Sequence, residues 1–253
     1  MQFDEKWSFV GKKQDNCDGD DPADERRGES WDHVAMDPEH RLVLAVVPGK
    51  RTAANCRAVV AEARRRMGGR VPRLITTDEY PSYKVAIHDV YGRRVVPLTV
   101  LPRPAGRPRV PKRVLPPGLN YAVVHKHRQD GRVVRVEQEV VFGTAASIAA
   151  ALAASRSSRA VNTAFLERHN GTDRHRNARK ARDTYRFSKD PDVHAAMTYY
   201  TMYSYNFCWP VRTLAPKGDD GRRSPRTPAT AAGLADHVWS VREWVTLPAV
   251  QSG

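Results

Sequence analysis

The order of the hydrophobic patterns in the first 92 residues constrains the fold of this 253-residue chain more than any other feature. Gln2 to Val10 alternates between apolar and polar side chains, which predicts a strand. Two further strand patterns, residues 31–36 and 41–47, flank a turn-forming Asp-Pro-Glu-His sequence. The chain therefore begins as a three-stranded antiparallel unit.

Helix and strand patterns then alternate. Thr52 is a good N-cap for a helix over residues 53–67, which ends at two consecutive glycines. A short apolar strand over 70–77 ends at Asp78, and residues 83–90 form a second helix pattern. This order predicts an α/β fold of the ribonuclease H type, with a mixed five-stranded sheet flanked by helices. Residues 1–92 would form the first part of its core.

The middle of the chain changes in composition. Residues 96–117 carry many prolines among Arg and Lys, which is typical of a basic, semi-extended linker. Two alternating runs, 121–126 and 132–141, flank an Asp-Gly pair, which predicts a β-hairpin. We interpret residues 93–145 as a basic insertion into the core. Residues 146–210 would complete the core with helices, and residues 211–253 would form a C-terminal tail.

The charge of the chain favours a polyanionic partner. Lys and Arg total 42 against 28 Asp and Glu, which gives a formal net charge of +14. Basic side chains bind phosphates and release counterions, so DNA is the expected partner, although an Arg-rich proteome would produce a similar excess.

The sequence lacks the patterns of an exported or membrane protein. It contains no apolar run of about 18 residues and no apolar stretch behind a basic N-terminus. Its three cysteines have no metal-binding spacing, which is typical of reduced thiols. We expect a cytoplasmic, nucleoid-associated protein with no membrane partner.

Three carboxylates occupy positions that the predicted fold would bring together. Asp4 lies in the first strand, Asp78 ends the fourth, and Glu167 lies in a late helix. The first and fourth strands are neighbours in a sheet of this topology. Three adjacent carboxylates repel one another, and their hard oxygen atoms suit Mg²⁺ or Mn²⁺. Taken singly, a strand Asp is more often a surface or capping residue, and a helical Glu is usually solvated.

Local motifs around these carboxylates carry a family resemblance. The motifs are Asp4-Glu5-Lys6-Trp7-Ser8-Phe9-Val10-Gly11, Gly49-Lys50-Arg51-Thr52, Thr77-Asp78-Glu79-Tyr80-Pro81-Ser82-Tyr83, Asn162-Thr163 with Glu167-Arg168 and Asn170, Phe187-Ser188-Lys189, and Tyr205-Asn206-Phe207-Cys208-Trp209. Their order and combination resemble the DDE transposases related to the insertion sequence one family, over most of residues 1–210.

The resemblance implies a catalytic and metal-binding triad of Asp4, Asp78 and Glu167. Two Mg²⁺ or Mn²⁺ ions would support DNA cleavage and strand transfer. Glu5 is the alternative for the first position, but strand alternation points it to the opposite side from Asp4. Helical spacing places Asn170 and Arg174 on the Glu167 face, where they would contact DNA. Other basic residues expected to contact DNA are Lys50, Arg51, Lys126 and Arg168.

The resemblance also implies partners. Transposon ends and target DNA would be the substrates, and a homodimer or larger synaptic oligomer is expected. Related transposases carry an N-terminal DNA-recognition module, whereas this chain starts only three residues before Asp4, so such a module is expected to be separate. Two alternatives stay open: a non-catalytic DNA-binding remnant or accessory protein, and a ribonuclease H-like nuclease without transfer activity.

Overall fold

A computed structural model describes residues 1–95, 112–181 and 184–247. The predicted linker falls mainly on residues 96–111, which lie outside this range. The strands are β1 (Gln2–Val10), β2 (Gly28–Asp37), β3 (Leu42–Gly49), β4 (Ile75–Thr77), β5 (Arg93–Val95), β6 (Lys112–Val114), β7 (Tyr121–Gln129) and β8 (Arg132–Phe142). The helices are α1 (Ala53–Arg66), α2 (Ser82–Tyr91), α3 (Ala145–Ala153), α4 (Ala164–Arg176), α5 (Pro191–Cys208), α6 (Pro228–Ala231) and α7 (Val241–Thr246).

The main sheet is mixed and has six strands in the order β3-β2-β1-β4-β7-β8. β1 pairs antiparallel with β2 and parallel with β4, which confirms that the first and fourth strands are neighbours. β7 pairs parallel with β4 and antiparallel with β8. The short strands β5 and β6 form a separate antiparallel pair.

The prediction of a five-stranded sheet with the hairpin in an insertion is therefore wrong. Both hairpin strands, β7 and β8, belong to the main sheet. The reason is that β1 pairs with one edge of β4, and the backbone groups on the other edge of β4 also need hydrogen-bond partners. β7 supplies this partner through the pairs Ile75 with Tyr121, Thr76 with Ala122, and Thr77 with Val123.

Helices cover both faces of the sheet. On one face, α1 and α2 pack against alternate strand residues such as Phe3, Ala35 and Tyr121. On the other face, α4 and α5 pack against the intervening residues Val34 and Met36. α3 extends this second layer over β7. The result is a three-layer α/β arrangement in which adjacent strand residues face different helices.

Several boundaries differ from the sequence-based expectations. β4 begins at Ile75 rather than residue 70, since Pro72 cannot donate a backbone hydrogen bond to a neighbouring strand. α4 ends at Arg176 rather than near residue 181, because Asn177 adopts an extended conformation. No helix in the described ranges is long and apolar enough to span a membrane.

The C-terminal segment folds back onto α5. The Trp239 ring lies 4.7 Å from that of Phe207, and the Trp239 amide donates to the Phe207 carbonyl. Trp244 on α7 packs edge-on against Tyr200.

Candidate functional site

Asp4 and Asp78 lie at neighbouring positions because β1 and β4 run parallel. The register pairs Gln2 with Thr76, and continuing it by two residues in each segment places Asp4 beside Asp78. Asp78 follows β4 directly, and its Oδ1 accepts a hydrogen bond from the Tyr80 amide at 3.3 Å. A parallel pair thus brings two carboxylates to one end of adjacent strands.

Gln2 and Asn162 position α4, which carries Glu167, against β1. The Gln2 amide donates to the Asn162 carbonyl at 2.7 Å, and its Oε1 accepts from the Leu166 amide at 3.0 Å. Thr76 of β4 donates to the same Asn162 carbonyl at 2.9 Å. The start of the helix is therefore tied to both strands that carry the aspartates.

A buried ion network beneath the site joins β1, β2, α4 and α5. Lys6 Nζ pairs with Asp173 and lies 3.2 Å from Asp32 Oδ2. Lys180 Nζ pairs with the same Asp32 carboxylate and donates to the Thr198 hydroxyl. Burial would raise the pKa of Asp32, but Lys180 and Lys6 together hold it below its usual value. Two cations and two anions balance one another in this buried network.

Asp4, Asp78 and Glu167 line one open pocket of about 500 Å³. Acidic and basic side chains are mixed around it. The full lining is Asp4, Glu5, Lys6, Asp78, Glu79, Val124, Lys126, Arg128, Glu167, Asn170 and Arg174. The structure thus brings all three predicted triad residues to a single cavity.

The carboxylates in the pocket perturb one another. Burial raises the pKa of Asp4 to about 8, and the neighbouring charges of Asp78, Glu5 and Glu167 add to this rise. Burial also raises the pKa of Asp78 and of Glu5. Such a site disfavours a full set of negative charges unless cations compensate them.

Glu167 is engaged by a basic residue of the hairpin. Its carboxylate accepts hydrogen bonds from Lys126 Nζ and from the Thr163 hydroxyl. Burial would raise the pKa of Glu167, but these two hydrogen bonds, together with the positive charges of Lys126 and Arg128, hold the pKa below its usual value. In this conformation Glu167 is paired with Lys126.

The donor chemistry fits a hard divalent cation. Asn170 Nδ2 donates to Asp4 at 2.8 Å, while Asn170 Oδ1 is buried with no hydrogen-bond partner in the described ranges. Carboxylate and amide oxygens are the ligands that Mg²⁺ and Mn²⁺ prefer. As the described side chains stand, however, no group of three or more His, Cys, Asp and Glu could hold a metal ion.

Three of the predicted DNA contacts, Asn170, Arg174 and Lys126, line the pocket. The other three lie elsewhere. Arg51 binds the buried Glu5 carboxylate at 2.9 Å and stacks over Tyr80. Lys50 donates to the Arg27 carbonyl at 2.6 Å, and Arg168 is exposed on α4 outside the pocket. A role in DNA binding stays a prediction for all six residues.

Sequence reasoning did not single out Arg128 and Glu79, which also line the pocket. Arg128 is two residues beyond Lys126 on β7, so strand alternation places both on one face. Glu79 Oε1 accepts from the Lys126 amide at 3.1 Å, which fastens the end of β4 to β7. The alternation along β7 is visible in the sequence. It could not assign Arg128 to the pocket, because the hairpin was predicted to lie in an insertion.

In comparisons with known proteins, no protein-family model matches this sequence, and a search of curated proteins found no match. The family resemblance therefore rests on the local motifs described above.

Proposed function

We propose that this chain is the catalytic domain of a DDE-type transposase, which cleaves DNA and joins the freed 3′ end to a target. The observation that carries the proposal is the convergence of Asp4, Asp78 and Glu167 on one pocket, from a β-strand, the end of its parallel neighbour and a helix. In a ribonuclease H-like core, this arrangement supports phosphodiester chemistry.

Asp4, Asp78 and Glu167 would hold two Mg²⁺ or Mn²⁺ ions. Bound there, the ions would supply an activated water or 3′-hydroxyl and stabilise the leaving oxygen. Asn170 orients the Asp4 carboxylate through its 2.8 Å hydrogen bond. Glu167 would have to leave Lys126 to join the ligand set, and the released ammonium would then be available to a DNA phosphate.

Basic residues at the pocket provide the contacts for a DNA backbone. Lys126 and Arg128 lie on one face of β7, and Arg174 lies on α4 opposite them. Their positive charges would attract the phosphates of a DNA backbone that crosses the carboxylates. Replacing Lys126 or Arg128 should lower the salt dependence of DNA binding by about one counterion each.

A non-catalytic DNA-binding protein is the second candidate. The pairing of Glu167 with Lys126 favours it, because this ion pair neutralises a candidate metal ligand. Such a protein would bind DNA in a salt-sensitive manner and yield no product that depends on a divalent cation.

Strand transfer distinguishes these functions. Purified protein would be incubated with a labelled, pre-nicked end duplex and a supercoiled plasmid in Mg²⁺ or Mn²⁺. Because the end sequence of a cognate element is unknown, a pool of duplexes with randomised ends would be used. Asp78→Asn should reduce the joined product on the order of 100-fold or more while preserving DNA binding. Asp219→Asn, at an exposed site in the C-terminal segment, is the matched control.

Each outcome has a distinct meaning. A joined product that the wild-type chain forms and Asp78→Asn does not form supports a transposase. Nicked or cleaved DNA without joined product indicates a nuclease that lacks transfer activity. DNA binding with no metal-dependent product favours the non-catalytic candidate. Full activity in Asp78→Asn would reject the triad itself.

A further inference from the structure

The far half of the β7–β8 hairpin projects from the body of the protein. The first four residues of β7 are buried, whereas Arg128 and Gln129 are exposed. The first five residues of β8 are all exposed. The pairing with β7 is irregular here, because His127 pairs with Arg135 and Arg128 with Val133, which leaves Val134 with no residue directly opposite it. A β-ribbon exposed on both faces buries little apolar surface by itself.

β8 is an edge strand with an apolar surface. It ends the order of the main sheet, and no other described strand pairs with its outer side. Val134 is 61% exposed and Val136 is 53% exposed, and Val133 and Val140 are also exposed. An edge strand with exposed valines presents unpaired backbone groups to another strand.

The charges along β8 favour pairing with an identical strand. Two identical strands can pair antiparallel about a two-fold axis normal to the sheet, and the axis then passes beside one central residue of each strand. A residue that lies a given number of positions before the centre on one strand is opposite the residue that lies the same number of positions after the centre on the other. A centre at Val136 places Arg135 opposite Glu137 of the second copy, and Glu137 opposite its Arg135. Opposite charges directly across an antiparallel pair are stabilising.

Neighbouring registers lack this complementarity. A centre at Arg135 or at Glu137 places that residue opposite its own copy, and a centre at residue 138 places Glu137 opposite Glu139. A centre at Val134 brings no charged residues opposite one another. Among centres from 134 to 138, only Val136 therefore pairs Arg with Glu without also pairing like charges.

We infer that two copies of this chain associate through antiparallel pairing of their β8 strands, centred on Val136. The two six-stranded sheets then become one continuous sheet of twice the width. The Val136 side chains of the two copies meet at the axis, and two Arg135–Glu137 pairs flank them. This association supplies backbone partners for the exposed edge and packs Val136 against its own copy.

The arrangement also places the two candidate sites together. Lys126 lies directly opposite Val136 in the β7–β8 pairing, so both side chains are on the face that carries the pocket. The two-fold axis keeps both pockets on the same side of the joined sheet. The two β4 strands are five strand spacings apart, or about 24 Å. The dimer does not depend on cleavage chemistry, although its use in joining two DNA segments rests on the proposed function.

Complementary charge variants provide the test. Arg135→Glu places four acidic residues at the axis, and Glu137→Arg places four basic residues there. Each variant alone should be monomeric in sedimentation equilibrium across a micromolar range in which the wild-type chain is dimeric. An equimolar mixture should recover a heterodimer, because each Glu then faces an Arg of the other chain.

This mixture separates pairing between chains from pairing within one chain. Arg135 and Glu137 also contact each other on the same strand, with a nitrogen–oxygen distance of 2.5 Å. That contact is lost in both variants and mixing cannot restore it. Circular dichroism and Tm of each variant confirm folding, and Val136→Lys, placed at the axis, should also give a monomer.

The inference is overturned if the wild-type chain is monomeric throughout this range. It is equally overturned if the wild type is dimeric but Val136→Lys and both charge variants remain so, because the interface then lies elsewhere. Single variants that dissociate, without a heterodimer in the mixture, would reject the register centred on Val136. None of these measurements uses DNA or a metal ion, so failure of the dimer is distinguishable from failure of the proposed catalysis.

Discussion

Lys6 on β1 forms an ion pair with Asp173 on α4, and the exposed fractions of the two side chains are 0% and 2%. Asp4 precedes Lys6 by two residues on the same strand face, and Asn170 precedes Asp173 by one helical turn. The pair therefore fixes the separation between the strand that carries Asp4 and the helix that carries Glu167. It lies directly beneath the candidate site.

Breaking this pair should destabilise the fold strongly. Lys6→Met leaves the Asp173 carboxylate buried without its cation, and the expected loss is about 3 to 5 kcal/mol in the free energy of unfolding. Urea denaturation at pH 7 measures it. Arg65→Met, which breaks an exposed pair with Glu62, is the matched control and should cost roughly 0.5 kcal/mol or less.

The double variant Lys6→Met, Asp173→Leu tests the electrostatic origin of that loss. It removes both charges and leaves the Asp32–Lys180 pair intact. It should be more stable than Lys6→Met alone, because no carboxylate is left buried without a counterion. A double variant that loses the sum of the two single effects would show that packing, not charge, is responsible.

The raised pKa of Asp4 predicts a pH-dependent stability in metal-free buffer. Its pKa is about 8 in the folded chain against the usual 3.8. Between these pH values the folded state keeps a proton that the unfolded state has lost, so stability falls as pH rises. Asp4→Asn removes this effect and should raise the Tm at pH 8 on the order of 5 °C relative to wild type.

The same Asp4→Asn substitution should have little effect on Tm at pH 4. At this pH the Asp4 carboxyl is substantially protonated in both the folded and the unfolded chain. Differential scanning fluorimetry in EDTA, from pH 4 to pH 8.5, gives the full profile. Asp219→Asn, exposed on a loop, controls for the general effect of removing one negative charge. An equal Tm difference at both ends of the range would contradict the raised pKa.

Much of the fold follows from local patterns, whereas pairing between distant segments does not. The alternation in β1 and the turn at residues 37–40 are sufficient to predict the β1-β2-β3 unit. The Asp-Gly turn predicts the hairpin but not its partner. Its docking depends on three residue pairs between β4 and β7, more than 40 residues apart in sequence. No short window of sequence contains that information.

The site shows the same division. Asp4, Asp78 and Glu167 were predicted from motifs, and alternation placed Glu5 on the opposite side of β1 from Asp4, although both residues line the pocket. Two contacts were beyond such reasoning, because both depend on tertiary packing. Lys126 reaches Glu167 only because β7 joins the sheet. Lys6 shares the Asp4 face of β1, and it pairs with Asp173 only because α4 covers that face.

Arg51 should stabilise the site by pairing with the buried Glu5 carboxylate, in addition to the DNA contact predicted for it. Its guanidinium binds Glu5 and lies 4.0 Å from the centre of the Tyr80 ring. Arg51→Met leaves Glu5 without its cation, so the loss of stability should be larger at pH 8 than at pH 5, where Glu5 takes up a proton more readily. Urea unfolding at both pH values measures this difference.

Two variants complete the Arg51 experiment. Arg51→Lys keeps the charge but loses the planar contact with Tyr80, and should cost about 1 kcal/mol with a weaker pH dependence. Arg57→Met, at an exposed site on α1, should be close to neutral at both pH values. A pH-independent loss in Arg51→Met would assign the effect to stacking and packing.

Lys126 competes with a divalent cation for Glu167. Its ammonium contacts the Glu167 carboxylate, and both side chains are partly exposed, so the pair is modest in strength. Lys126→Met removes this competitor and one positive charge from the pocket. It should therefore strengthen Mn²⁺ binding by roughly three- to tenfold, even though it weakens DNA binding.

Calorimetric titration of Mn²⁺ into the DNA-free protein measures the change in Kd. Lys84→Met, at an exposed position on α2, is the matched control and should leave Kd unchanged. Glu167→Gln should weaken binding and also make the added Lys126→Met substitution nearly silent, since the two residues act on the same ligand. If Lys126→Met left Mn²⁺ affinity unaltered while Asp78→Asn abolished binding, Glu167 would not be a ligand, and the cation would be held by Asp4 and Asp78 without it.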